Sequence, residues 1–294
     1  MGIFSGLENF GLGKLKNTKL YEEEKGKEQE GKEKKAAVKH EVTEAELLFE
    51  KTYSCPVCYK EFKTKVMRTG KVKLLSADTD LRPKYQNVDS LKYEAIVCPH
   101  CGYAALNRFF EHIVSVQAKF IREQISSNFK GLEYKGDIYT YDDAIARYKL
   151  ALLNTVVKKG KTSERAYTCL KLAWVIRGKA ENLPKDTENY DAIIKELKEE
   201  EDELIKNAYE GFSSAFMKES FPICGMDELT LTYLIADLAR RSKEFEAANR
   251  WVSQVITSRA ANERIKNKAR EIKELIKEDM ECFERAEAKE DETK

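Results

Sequence analysis

Two Cys-x-x-Cys motifs carry the clearest chemistry in this sequence, and each turns two thiolates towards a common point. Their cysteines are Cys55, Cys58, Cys98 and Cys101. Two such turns supply the tetrahedral sulfur set that zinc prefers, so the sequence predicts one zinc ion held by these four residues. Four thiolates leave no coordination position for water, which predicts a structural zinc and not a hydrolytic one. Iron at the same ligands is the alternative metal.

Two other interpretations of the motifs are less favoured. A redox-active Cys-x-x-Cys would lie in a thioredoxin-like strand–helix pattern, and neither motif has one around it. His100 lies between two of the cysteines. With four thiolates available, His100 is expected to face solvent and not to replace a sulfur ligand.

The segment between the motifs contains a dense polar loop. Its candidate residues are Asp78, Asp80, Arg82 and Tyr85. The two carboxylates could bind a cation, or Arg82 could pair with an anionic ligand. The favoured alternative is structural, because aspartates often cap turns and Arg82 can pair with one of them to hold the loop in place.

Basic residues are concentrated just after the first motif, where the sequence predicts a hairpin. They are Lys60, Lys63, Lys65, Arg68, Lys71 and Lys73. Together with the aromatic rings of Tyr59 and Phe62, they could contact nucleic acid through phosphates and base stacking. Alternating lysines on a short hairpin also keep an exposed sheet edge soluble, which is the structural alternative.

The elements that must position these residues change in character along the chain. Apolar residues between residues 50 and 100 occur in short runs without helical spacing, so we expect a strand at Phe62–Val66, a turn at Thr69–Gly70 and a second strand at Val72–Leu75. A polar loop over 77–92 and a strand over 93–97 should follow. The predicted sheet lies between the two cysteine motifs.

Helical periodicity begins at Tyr103, and Thr140 with Asp143 forms the pattern of a capping box. Later helices are predicted from Ser163 to Gly178 and over 187–218, 227–242, 244–258 and 262–284. Small residues at Ala236, Ala239 and Ala248 make 227–258 resemble a tetratricopeptide unit, with an ordinary helical bundle as the alternative.

These patterns predict an α+β fold that is mainly α: a small four-cysteine zinc-ribbon-like β domain followed by an antiparallel, tetratricopeptide-like helical region. The predicted boundaries are 1–45 for a disordered tail with a short apolar segment, 46–102 for the zinc-ribbon-like domain, 103–284 for the helical domain and 285–294 for a charged tail. The apolar segment is expected either to pack on the body or to dock on a partner.

Composition narrows the class of protein. The chain has 294 residues, 42% hydrophobic and 35% charged, with a net charge of +1. A nucleic-acid-binding protein usually carries an overall basic charge, which is missing here. No apolar run approaches the roughly 18 residues that span a bilayer, and the first residues lack a signal peptide, so we expect a cytoplasmic protein without membrane contact.

Several motifs resemble a bacterial family named domain of unknown function 2225. Their residues are Cys55–Cys58, Arg68–Gly70, Asp78–Tyr85, Cys98–Ala104, Leu172–Trp174 with Arg177, and Tyr233–Ile235 with Arg240 and Arg241. The resemblance covers about residues 50–260 and implies a zinc-ribbon-like domain joined to tetratricopeptide-like helices. It implies no established biochemical role. Tyr59 departs from the glycine that many zinc knuckles place there.

Three functions follow in order of preference. The first is a zinc-stabilised scaffold or adaptor that binds an unknown protein or peptide through its helices and catalyses no reaction. The second is a nucleic-acid-binding zinc ribbon that uses the basic hairpin. The third is a metalloenzyme that uses the loop of Asp78 and Asp80.

Overall fold

The computed structural model describes residues 42–132, 134 and 136–291, without the side chains of residue 69 and residues 286–291. Almost all of the predicted N-terminal tail, including its apolar segment, therefore lies outside the described residues. Short antiparallel hairpins come first and α-helices follow. The predicted α+β, mainly α class is confirmed.

The described residues contain six strands, which pair as three antiparallel hairpins. They are β1 (Leu48–Ser54) with β2 (Glu61–Met67), β3 (Leu74–Ala77) with β4 (Pro83–Tyr85), and β5 (Ala95–Val97) with β6 (Ala104–Leu106). The first cysteine motif is the turn of the β1–β2 hairpin, and the second is the turn of the β5–β6 hairpin.

The predicted pairing across Thr69–Gly70 is wrong. The strand containing Phe62 pairs backwards with β1, where Tyr53 faces Phe62, and not forwards with the segment at Val72–Leu75. The physical reason is that a Cys-x-x-Cys knuckle is itself a chain reversal, so the strands on its two sides are brought together first. Residues 69–71 instead form a short 3₁₀ turn.

The helix predicted from Tyr103 is also wrong in its start. Residues 104–106 form β6, a 3₁₀ turn covers Asn107–Phe109, and the first helix begins only at Ser115. The apolar spacing that suggested a helix has another cause. Phe110 is fully buried against the rings of Tyr53, Phe62 and Tyr103 beneath the cysteine turns.

Seven α-helices lie in the described part of the chain. They are α1 (Ser115–Ile121, continued by a π-helical turn Arg122–Ser126), α2 (Tyr141–Val157), α3 (Thr162–Glu181), α4 (Tyr190–Lys218), α5 (Glu228–Arg241), α6 (Phe245–Thr257) and α7 (Glu263–Asp291). The capping box at Thr140 and Asp143 is confirmed at the start of α2. The side chain of Asp227 caps α5 by accepting a hydrogen bond from the backbone N–H of Thr230.

Helix α3 does not end at Gly178, as the sequence predicted, but continues to Glu181. Gly178 therefore lies inside the helix, and close neighbours explain why this position is a glycine. A Cβ there would lie 2.7 Å from the Tyr141 ring and 2.9 Å from a carboxylate oxygen of Asp89. The glycine thus marks a close approach of the helix to the β region and not a helix end.

The largest core lies between β5 and helices α2 to α5. Its fully buried side chains include Tyr148, Leu170, Ile176, Ile205 and Phe212. A second core joins α5, α6 and α7. There Ala236, Ala239 and Ala248 are fully buried, which lets these helices pack closely, although the classification as a tetratricopeptide unit stays a prediction.

Within the residues that the structure describes, none of the helices combines the length and the apolar character that crossing a bilayer requires.

Candidate metal centre and the adjoining polar cluster

The first cysteine turn follows β1 directly. The backbone N–H of Tyr59 donates to the carbonyl oxygen of Cys55 at 2.8 Å, and the N–H of Cys55 donates to the carbonyl oxygen of Lys60 at 3.0 Å. Tyr59 adopts a positive φ of 62°. Its side chain is 79% exposed, so the left-handed conformation carries a backbone cost but no steric conflict with the body of the protein.

The second cysteine turn repeats this hydrogen bonding. The N–H of Gly102 donates to the carbonyl oxygen of Cys98 at 3.1 Å, and the N–H of Cys98 donates to the carbonyl oxygen of Tyr103 at 2.8 Å. Gly102 has a φ of 72°, and a Cβ there would lie 2.7 Å from the Phe129 ring. Glycine is therefore favoured at this position both by conformation and by space.

The two turns bring the four predicted ligands together. The four Sγ atoms all lie within 4.8 Å of one another, with 3.6 Å between Cys55 and Cys101 and 3.7 Å between Cys58 and Cys98. A tetrahedron with metal–sulfur bonds of about 2.3 Å has sulfur–sulfur edges of about 3.8 Å. The cluster therefore fits a single metal ion. His100 is exposed and is not part of this cluster.

The thiols of the cluster differ in pKa. Hydrogen bonding with the Cys55 thiol, contact with Cys98 and burial raise the pKa of Cys101, whereas hydrogen bonds from Cys101 and Cys55 lower the pKa of Cys98. Ionisation therefore favours Cys98 over Cys101, since neighbouring thiolates repel one another. A divalent cation offsets this repulsion, so that metal binding is coupled to release of protons.

Side chains from the helical region donate hydrogen bonds to backbone carbonyl groups of both cysteine turns. Arg122 Nη1 donates to the carbonyl oxygen of Val57 at 3.1 Å, and Ser126 Oγ donates to the carbonyl oxygen of Cys101 at 2.8 Å. From α2, Asn154 Nδ2 donates to the carbonyl oxygen of Gly102 at 3.1 Å. These contacts tie the sulfur geometry to the packing of α1 and α2.

Hydrogen bonds and ion pairs connect the polar loop between β3 and β4 to α3. Asp80 is fully buried and accepts hydrogen bonds from Trp174 Nε1 at 2.9 Å and from Arg177 Nη2 at 2.7 Å. Asp78 lies 3.2 Å from Arg177 Nη1 and 3.0 Å from Lys84 Nζ. Arg177 also donates to Glu201 of α4 at 2.7 Å.

Hydrogen bonds and an ion pair also connect this loop to α5. Thr79 Oγ1 donates to Asp237 Oδ2 at 2.8 Å, and Arg241 Nη2 donates to Thr79 Oγ1 at 3.0 Å. Arg241 Nε lies 2.9 Å from Asp237 and 3.7 Å from Asp80. We call the whole group the loop–helix cluster: Asp78, Thr79, Asp80, Trp174, Arg177, Asp237 and Arg241.

Charge pairing dominates the protonation of this cluster. Burial alone would raise the pKa of Asp80, but the charges of Arg177 and Arg241 outweigh burial and hold this pKa below its usual value. Although burial opposes it, pairing with Asp80 and Glu201 raises the pKa of Arg177. Both groups therefore remain charged near neutral pH, unlike a proton-transferring acid or base, which titrates in that range.

The sequence pointed to the loop but missed its partners. Trp174, Arg177, Asp237 and Arg241 lie about 90 to 160 residues further along the chain. The sequence did hold one signal of these partners. Trp174 and Arg177, and likewise Asp237 and Arg241, are three or four residues apart and so lie on the same face of a helix. Three of these four also belong to the motifs that carry the family resemblance.

The other two residues predicted in the loop lie beside the cluster. Arg82 is 4% exposed and pairs with Glu181 at 3.0 Å, and it lies 3.8 Å from Asp89. Tyr85 is half-buried in β4. Both line a cavity of about 500 Å³ between the β3–β4 hairpin and the adjoining ends of α2 and α3, which is lined by both cations and carboxylates.

The basic hairpin residues do not form one continuous positive surface. Lys63 lies 4.0 Å from Glu50, and Glu61 also lies on the exposed side of β2. Lys65 is half-buried opposite Glu50, while Arg68 Nε donates to the carbonyl oxygen of Leu48. Exposed lysines remain at four of the predicted positions: Lys60, Lys63, Lys71 and Lys73.

Residues 48–276 match the model of a family described as an uncharacterised protein conserved in bacteria, DUF2225. This range includes both cysteine turns, the loop–helix cluster and the first half of α7. Comparison with curated proteins and with solved structures gave no match.

Proposed function

We propose a protein-interaction function for this chain, which belongs to the DUF2225 family of uncharacterised proteins conserved in bacteria. The succession of packed helices carries the proposal. From α3 to α7, each helix packs on the next one along the chain. Arrays of this kind present extended surfaces that bind peptides or helices of other proteins.

In the proposed function, Cys55, Cys58, Cys98 and Cys101 bind one structural zinc ion. A tetrahedral four-sulfur set is typical of zinc, with iron as the second choice. Because the four thiolates complete the coordination sphere, the zinc supplies no open position for a substrate. Its role is to hold the β1–β2 and β5–β6 hairpins against α1 and α2.

The arrangement of the loop–helix cluster supports a non-catalytic role. Its carboxylates at Asp78, Asp80 and Asp237 are each paired with guanidinium groups. A metalloenzyme site would need carboxylates free to bind a cation or to exchange a proton. The cluster instead links the β region to α3 and α5, so that the scaffold presents its helical surface rigidly.

The nucleic-acid hypothesis receives less support. Glu50 and Glu61 interrupt the basic side of the β1–β2 hairpin, and Arg68 is engaged with the backbone of β1. Phosphate binding by a few separated lysines would be weak and would fall steeply as salt rises.

Capture of partners by the zinc-loaded full chain tests the proposal. The tagged chain is incubated with nuclease-treated bacterial lysate, and each retained protein is purified and mixed with the chain for chromatography with light scattering. We expect a stoichiometric complex that persists at moderate salt. Retention of nucleic acid alone, or no purified protein forming such a complex, would overturn the proposal.

A matched pair of variants separates the contribution of the metal. Cys98→Ser removes a sulfur ligand, whereas Cys224→Ser changes a half-buried cysteine outside the cluster. Partner binding should weaken only in the Cys98→Ser protein, because its hairpins lose the metal that holds them.

A further inference from the structure

A cavity of about 430 Å³ lies where the turn between α5 and α6 meets α4 and α7. Its charged lining is strongly unbalanced. Four cations and one carboxylate, Asp279, line it together with two aromatic rings. The cations are Lys198, Arg240, Arg241 and Lys243, and the rings are Phe245 and Phe283.

The two guanidinium groups are fixed before any ligand arrives. Asp237 is fully buried, with one carboxylate oxygen 2.8 Å from Arg240 Nη2 and the other 2.9 Å from Arg241 Nε. Because Asp237 is inaccessible, it holds the arginines in place without itself facing the cavity solvent. Positive groups that are already ordered lose little conformational entropy when an anion binds.

Lys243 is the cation of this group with the fewest partners. Its Nζ lies 5.0 Å from the centroid of the Phe283 ring, and no carboxylate among the described side chains lies within ion-pair distance of it. Lys198, by contrast, pairs with Asp202 at 2.6 Å and lies 3.9 Å from Glu201.

The aromatic rings give the cavity an apolar wall. The ring centroids of Phe245 and Phe283 lie 6.0 Å apart. A few placed charges beside an apolar wall, in a volume of several hundred Å³, are typical of ligand-binding sites.

We propose that this cavity binds a short acidic peptide segment that also carries an apolar side chain. The peptide carboxylates contact Lys243 and Arg240, and its apolar side chain packs on Phe245 and Phe283. The inference rests on the proposed protein-interaction function and names the chemistry of the partner.

Asp279 provides a direct test of the proposal, because it already forms an ion pair with Arg240, one of the four cations. Its carboxylate pairs with Arg240 Nη1 and is 44% exposed. A ligand carboxylate must compete with Asp279 for that guanidinium. Removing the charge of Asp279 should therefore strengthen binding, whereas removing the charge of Lys243 should weaken it.

The experiment uses the full zinc-loaded chain and fluorescence anisotropy. The probes are labelled eight-residue peptide pools randomised over Asp, Glu, Leu and Phe, with matched pools in which Lys and Arg replace the acids. We expect the acidic pool to bind and the basic pool not to bind. Lys243→Gln should weaken binding by about two- to fivefold, and Asp279→Asn should strengthen it by a similar factor, as for exposed ion pairs.

Two variants serve as matched controls, since each removes an exposed lysine from a lining helix outside the cavity. They are Lys206→Gln on α4 and Lys273→Gln on α7. Both should leave affinity unchanged. Absence of binding by the acidic pool, equal binding of the basic pool, or no opposite effect of Lys243→Gln and Asp279→Asn would overturn the proposal. Binding of a single-stranded oligonucleotide in place of the peptides would overturn it as well.

Failure of the cavity proposal can be distinguished from failure of the proposed protein-interaction function. If a captured protein partner binds the Lys243→Gln and Asp279→Asn chains as it binds the parent, the cavity proposal is wrong while the interaction function stands. If no protein forms a complex with the parent chain, the interaction function itself is wrong.

Discussion

Replacement of Asp80 by asparagine removes the central negative charge of the loop–helix cluster while keeping the size of the side chain. Asp80 is fully buried, 2.7 Å from Arg177 Nη2 and 2.9 Å from Trp174 Nε1. Breaking a buried ion pair on one side costs about 3–5 kcal/mol. Arg177 keeps Glu201 at 2.7 Å, so we expect the lower end, a loss of about 3 kcal/mol in the free energy of unfolding.

Urea unfolding of the zinc-loaded protein at neutral pH, followed by circular dichroism, measures this loss. Asp142→Asn is the matched control, because the Asp142 carboxylate is 76% exposed and pairs with Lys179 at 2.6 Å. Exposed pairs of this kind contribute about 1 kcal/mol or less. Metal content should stay at one ion per chain in both variants.

A loss of less than about 1 kcal/mol for Asp80→Asn would refute the reasoning, because a buried charge that stabilises the fold cannot be removed at the cost of an exposed one. Metal loss in Asp80→Asn alone would contradict it in another way, since the cluster would then support the cysteine turns and not only the loop.

Three further outcomes are expected. Gly178→Ala should destabilise the fold by about 1–3 kcal/mol, because the new Cβ meets a ring at 2.7 Å, whereas Gly70→Ala, with open space around it, should leave the melting temperature nearly unchanged. Cys98→Ser should lose the metal in elemental analysis, and Cys282→Ser should retain it. The pKa of Asp80 is lower in the folded protein, so its stabilising contribution is present above the ordinary carboxyl pKa of about 3.9 and is lost as pH falls below that value. The difference in unfolding free energy between the parent and Asp80→Asn should therefore shrink in acid, and a constant difference down to about pH 3 would contradict the charge pairing.

Local chemistry made the four-cysteine cluster and several helix starts predictable from the sequence. A Cys-x-x-Cys turn fixes its own geometry, and a second one leaves a single way to assemble four sulfurs. The capping box of Thr140 and Asp143 lies within four residues, and the first turn of α2 formed there as expected.

Long-range pairing was not predictable in the same way. Strand β1 has exposed residues at most positions, so its sequence lacks the alternation that would have identified it as the partner of Phe62. Asp80 is matched to Trp174 and Arg177 from far along the chain, and no window around the loop shows that. Turn chemistry alone favoured the structural interpretation of Asp78 and Asp80, but the side chains that pair with them were identified only in the folded structure.

X-ray absorption spectroscopy at the zinc edge tests the metal centre most directly. With the full chain purified under reducing conditions, we expect one zinc ion per chain and four sulfur neighbours at about 2.3 Å, without a nitrogen or oxygen ligand. A spectrum with fewer than four sulfurs, with a bound water or histidine, or with no stoichiometric metal would contradict a closed four-thiolate site.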